Sequence, residues 1–213
     1  KFGKFHYLSF KPNSKLELGL FEGTTFKQFQ DSVGSVPVHF SAYSPVLGTA
    51  FALNGFDSEN NSLLGLNAVY NLTKNVQVYA QLALDDPANQ KLGYQVGAKA
   101  VDAFGVRHLY LQAEFNMAGA GTYAMDTTRL NQSWSHMSEP LAHPHGGNFK
   151  EIIGIAYYEE QKFYGQLKIS SAFMNELEGG FGRDLQMPDA PLNPAGIEDR
   201  KIFNNVQELQ VGH

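Results

Sequence analysis

Tight turns alternate with longer polar connections along this chain of 213 residues. Between them lie segments of strict period two. The connections run short (11–14), long (22–61), short (73–75), medium (86–91), short (102–106), long (118–148), short (160–162) and long (174–202). The intervening segments alternate cleanly. Leu109, Leu111, Ala113 and Phe115 face one way, while His108, Tyr110, Gln112, Glu114 and Asn116 face the other. Val76, Val78, Ala80, Leu82 and Leu84 likewise oppose Gln77, Tyr79, Gln81, Ala83 and Asp85. Period two belongs to strands and not to helices. About nine strands are expected, the last over 203–211, with one short helix around Phe26–Phe29.

This pattern constrains the architecture. Strands of about ten residues, with short turns at one end and long loops at the other, are how outer-membrane β-barrels are built. Lipid cannot satisfy a backbone N–H or C=O, so only a helix or a closed barrel crosses a bilayer. No apolar run of about 18 residues exists to form the helix. A soluble β-sandwich also alternates its faces but has no reason to gather its long loops at one end. The expected fold is therefore all-β, an antiparallel transmembrane barrel with short periplasmic turns and long extracellular loops. Residues 1–213 form one domain, a partial barrel, because an odd strand count does not close a bacterial barrel.

Composition agrees. Charged residues make up 17%, against about 25% in an average soluble domain. Gly (21), Phe (16), Tyr (10) and amides take their place. Aromatics gather near strand ends, among them Phe10, Phe21, Phe104, Phe115 and Phe173, where a membrane interface would hold them. The net charge of −5 and the lack of a basic cluster exclude a nucleic-acid partner. Cysteine is absent, which is compatible with an oxidising envelope compartment.

Candidate chemistry concentrates in 118–148. His136, His143 and His145 lie close together, yet their spacing matches no zinc pattern, so neither a metal nor a cofactor is expected. No G-x-S-x-G, H-E-x-x-H or P-loop occurs, and Ser133, Ser135 and His136 are neighbours on a loop and not a triad. The chain is read as non-enzymatic. Trp134, the single tryptophan, lies near Tyr123, Asp126, Arg129, Asn131 and Gln132. Two readings stand: an exposed sugar-stacking platform, or the packing anchor of the loop. The candidate ligand-binding residues are Trp134, Tyr123, Arg129, His136 and His143.

One resemblance extends these readings. It rests on Tyr94-Gln95-Val96-Gly97, Asp102-Ala103-Phe104-Gly105-Val106 and Leu109-Tyr110-Leu111-Gln112-Ala113-Glu114-Phe115-Asn116. Trp134-Ser135-His136, Pro140-Leu141-Ala142-His143-Pro144 and Gly146-Gly147-Asn148-Phe149-Lys150-Glu151 add to it. Over residues 92–165 the chain resembles a Bacteroidota outer-membrane family similar to the gliding-motility RemB proteins and, more distantly, the capsule-assembly Wzi proteins. The resemblance implies a barrel in the outer membrane, with outer-membrane lipid, surface polysaccharide or other envelope proteins as partners. It identifies no catalytic residue. A porin-like channel and an accessory subunit of an envelope secretion or motility complex are the alternatives.

Overall fold

The computed structural model describes residues 2–26, 29–30, 34–35, 40–54, 60–86, 91–124, 132–136, 139–175 and 201–212. Nine long strands form one antiparallel sheet: β1 (Phe2–Phe10), β2 (Leu16–Phe26), β5 (Asn61–Asn71), β6 (Val76–Asp86), β7 (Lys91–Val101), β8 (Leu109–Ala118), β11 (Phe149–Glu160), β12 (Phe163–Asn175) and β13 (Lys201–Gly212). Two-residue strands β3 (Phe29–Gln30) and β4 (Gly34–Ser35) pair with each other, as do β9 (Ser135–His136) and β10 (Glu139–Pro140). Helical elements among the described residues include 3-10 turns at Phe40–Tyr43 and Ala103–Gly105 and an α-helix, α1 (Thr49–Asn54).

Spatial order in the sheet follows chain order without a crossover. Short connections at 11–15, 72–75, 102–108 and 161–162 therefore share one end, and 27–60, 87–90, 119–148 and 176–200 share the other. The sheet is open: β1 pairs only with β2, and β13 only with β12, among the described residues.

Register sorts the side chains. One cross-strand row reads Leu20, Leu66, Leu82, Tyr94 and Met117, the next Leu18, Ala68, Ala80, Val96, Phe115 and Ile152. A third runs Ala100, Leu111, Ala156, Leu167 and Leu209. On the opposite face the rows are Asn67, Gln81, Gln95, Asn116 and Glu151, then Asn71, Gln77, Lys99 and Gln112. The alternation read from sequence thus becomes one apolar and one polar face. The apolar face is uncovered over most of its extent, with Leu8, Leu66, Val96, Ile152 and Leu209 all exposed.

Several boundaries differ from the sequence expectation. β2 continues to Phe26 and β5 starts at Asn61, which shortens the excursion expected at 22–61 to 27–60. Residues 22–26 are buried on both faces, so no alternation survives in them. The short helix lies at Thr49–Asn54 and not around Phe26–Phe29. The segment around it packs on the apolar face at the β1–β2 corner. There the Glu22 carboxylate accepts from the backbone N–H groups of Gly48 and Phe51, and Lys4 Nζ donates to Ser41 O at 2.8 Å. His108 belongs to the turn before β8, because its backbone sits at φ 63 and its N–H donates to Asp102 Oδ1 at 2.7 Å. The last strand spans 201–212 where 203–211 was expected, and most of the loop expected at 174–202 lies outside the described residues.

Glycines on the polar face make room for aromatic rings. Phe21 lies over Gly65 and Tyr79 over Gly97, so close that a Cβ at either glycine would overlap the ring. Lifting Tyr79 would break its 2.5 Å bond to Glu114. Gly97→Val is expected to lower stability by about 1–3 kcal/mol, read as a drop in the thermal unfolding midpoint.

Candidate functional site

Two carboxylates organise the polar face. Glu114 accepts from Tyr79 Oη at 2.5 Å and from Asn116 Nδ2 at 2.8 Å. Glu151, directly across from Asn116 in the register, accepts from Ser170 Oγ at 2.7 Å and Asn116 Nδ2 at 3.2 Å. Gln112 Nε2 donates to Tyr79 Oη at 2.9 Å. Amide pairs extend the lattice, with Gln81 donating to Asn67 and Gln77 to Asn71, both at 2.7 Å. Such a network holds its polar groups in one arrangement because each bond fixes the partner of the next.

The 119–148 connection lies across this face at the long-loop end. Its anchor is Trp134, 2% exposed and packed with Leu63 and Ala83. The ring meets Phe5 edge-on at 5.5 Å, and Gly23 leaves the space it fills: a Cβ there would sit 2.6 Å from the ring. Backbone bonds fasten the loop around it, from Trp134 N to Tyr123 O and from Leu141 N to Trp134 O, each 2.8 Å. Tyr123 N donates to Asp85 Oδ2 at 2.9 Å. Thr25 Oγ1 and Asn61 Nδ2 both donate to Gln132 O.

A second attachment uses the histidines. His143 stacks on Phe149 at 4.1 Å between centroids, and its Nε2 lies 3.3 Å from Glu151 Oε2. His145 Nε2 lies 3.3 Å from the other oxygen of the same carboxylate. Burial holds the His143 imidazole below its ordinary pKa, with Glu151 opposing and His145 reinforcing the shift. Burial, with the Asp85 carboxylate nearby, pushes the Tyr123 phenol up to about 12. Between loop and sheet remains a cavity of about 110 Å³ lined by Gln81, Gln95, Asn116, Tyr123, His143 and Phe149.

The expected site residues therefore part company. Trp134 is the packing anchor and not an exposed stacking platform. Tyr123 and His143 meet at the cavity wall. His136 is exposed on β9, while Ser133 is buried. Arg129, Asp126 and Asn131 lie outside the described residues. Among the described residues no group of three or more His, Cys, Asp or Glu side chains is arranged to hold a metal ion. Glu114, Asn116, Glu151 and Asp85 carry the arrangement, and none of them was among the candidate binding residues. Their alternation assigns them to the polar face, but only the path of the loop decides which of them meet histidines.

Comparison with protein-family models, with curated proteins and with solved structures yields no match.

The His143 attachment makes loop docking depend on pH. A histidine held below its ordinary pKa binds fewer protons when docked than when released, so docking strengthens as pH rises. The contribution is complete above the ordinary value of about 6.5 and is lost as pH falls below it. Limited proteolysis within 119–148 is expected to speed up between neutral and mildly acidic pH, and His143→Gln to flatten that dependence.

Proposed function

We propose that this chain forms part of a β-barrel in a bacterial outer membrane and acts there as a non-enzymatic binding or anchoring protein. One observation carries the reading: a sheet one layer thick presents an exposed apolar face and a hydrogen-bonded polar face. In water the apolar face would need a second layer, and among the described residues only the segment around α1 packs on it, at one corner. Lipid supplies that cover. Strands of 9–13 residues meet the length a tilted strand needs to cross the hydrocarbon core. No helix among the described residues is long and apolar enough to do so.

Alternation of direction across nine strands leaves β1 and β13 running the same way. Closing the barrel with antiparallel seams then takes an odd number of further strands. The long-loop end faces the cell exterior in this reading, and surface polysaccharide or another envelope component is the partner held there. The polar loop 119–148 and its cavity are the contact region, with Tyr123 and His143 at its wall. A loop anchored across the polar face by Trp134 obstructs a pore, which favours binding over the porin-like alternative.

Leu82 lies mid-strand on the apolar face, and an Arg at the bilayer midplane costs about 2–4 kcal/mol. Leu82→Arg is expected to impair insertion and heat-modifiable folding, whereas Leu82→Ile leaves both intact. The inserted wild type is expected to be silent in a planar bilayer. Normal insertion of Leu82→Arg would contradict the membrane reading, and steady ohmic conductance of the wild type would replace binding by transport.

A further inference from the structure

Every short turn carries the same pair, a large apolar side chain in the open and a cation within three residues of it. The pairs are Phe10 with Lys11, Leu72 with Lys74, Phe104 with Arg107, and Phe163 with Lys162, all exposed. A chain of net charge −5 would not place a cation at all four turns by composition alone. We infer that this end of the sheet is seated on a layer of anionic phospholipid headgroups, the apolar members at the ester level and the cations at the phosphates. The inference rests on the membrane reading above and goes beyond it by naming the lipid class and the residues that meet it.

The turn 102–108 shows that the display is built. Phe104 is 94% exposed at its tip. Asp102, Phe104 and His108 all adopt positive φ, at 49, 56 and 63°, a conformation that residues with a Cβ enter only when their surroundings enforce it. Here the enforcement is visible. Gly105 N donates to Asp102 O at 3.1 Å, Val106 N to Ala103 O at 3.0 Å, and Asn75 Nδ2 from the adjacent turn to Val101 O at 2.9 Å. The chain thus holds a phenyl ring away from the protein.

Charge at this end divides in the same sense. Glu17 and Glu159 fall on the polar face by register and accept from Ser9 and Tyr157. Asp102 is engaged by His108 N, and Glu160 by Tyr158 Oη with His108 3.8 Å away. Lys11 pairs with Glu17 at 3.1 Å. Lys74, Arg107 and Lys162 form no ion pair among the described residues. Neighbouring turns are at least two strand spacings apart, about 10 Å. One protein pocket meets one such pair, whereas a planar lipid layer continuous with the apolar face meets all of them. Basic groups beside an anionic leaflet are attracted within a Debye length and screened beyond it.

The chain has no cysteine, so Phe104→Cys and Leu111→Cys each accept a single environment-sensitive fluorophore. The full chain is reconstituted into phosphatidylcholine vesicles with and without phosphatidylglycerol. The label at position 104 is expected to be quenched by headgroup-level spin-labelled lipid, and that at 111 by mid-chain spin-labelled lipid. Spin-labelled phosphatidylglycerol should associate with a preference of roughly fivefold or more over phosphatidylcholine at low salt. The combined Lys74→Gln, Arg107→Gln and Lys162→Gln variant should lose that preference, as should wild type in salt on the order of 0.5 M. Quenching at 104 by aqueous iodide alone, with 111 still in lipid, would overturn this inference and leave the membrane reading standing. So would a preference unchanged in the triple variant. Aqueous quenching at both positions would remove the membrane reading and this inference together.

Discussion

A sheet one layer thick cannot hide either of its faces, and the rest of this structure follows from that constraint. Backbone pairing satisfies the strands from β1 to β13, but each side chain must be reconciled with whatever lies above its own face. The polar face achieves this internally. Glu114 and Glu151 gather tyrosine, amide, hydroxyl and imidazole partners from β6, β8, β12 and the 119–148 connection. Among the described residues the apolar face has no such internal solution beyond the β1–β2 corner. Its leucines, valines and isoleucines are left exposed, and it is on this exposure, more than on any single residue, that the proposed bilayer rests.

Where both faces are covered, the two-residue rhythm disappears. Residues 22–26 have the α1 segment on one side and the Trp134 loop on the other, and all five are buried. This is why Glu22-Gly23-Thr24-Thr25-Phe26 reads as loop in the sequence and is strand in the structure. The nine long strands, their order of connection and their two faces were legible because each has one covered or polar side and one apolar side. His108 extends the alternation of β8 on paper, yet the Asp102 carboxylate captures its N–H and turns it out of the strand. A capture of that kind depends on turn geometry, which composition does not reveal.

The candidate site was legible in part. A loop rich in Gly, Ser, His and Pro beside a polar strand face is visible in the sequence, and Tyr123 and His143 do reach the cavity wall. The role of Trp134 was open between platform and anchor, and its packing against Phe5 and Gly23 makes it an anchor. Contacts from residue 134 back to residues 5 and 23 join distant parts of the chain, so no local pattern could supply them. The same anchor ties the loop to the sheet and, in the proposed barrel, places polar loop surface where a pore would otherwise run.

The central claim is that one face of the sheet meets lipid. The most direct measurement is a single-cysteine scan of β8 from Leu109 to Ala118, in envelopes carrying the intact protein, using a membrane-impermeant thiol reagent. The account predicts alternation, with cysteines at 111, 113 and 115 protected and only the intervening positions 110, 112 and 114 open to the reagent. Reaction at 111, 113 and 115 as fast as at their neighbours would place both faces in water and contradict it.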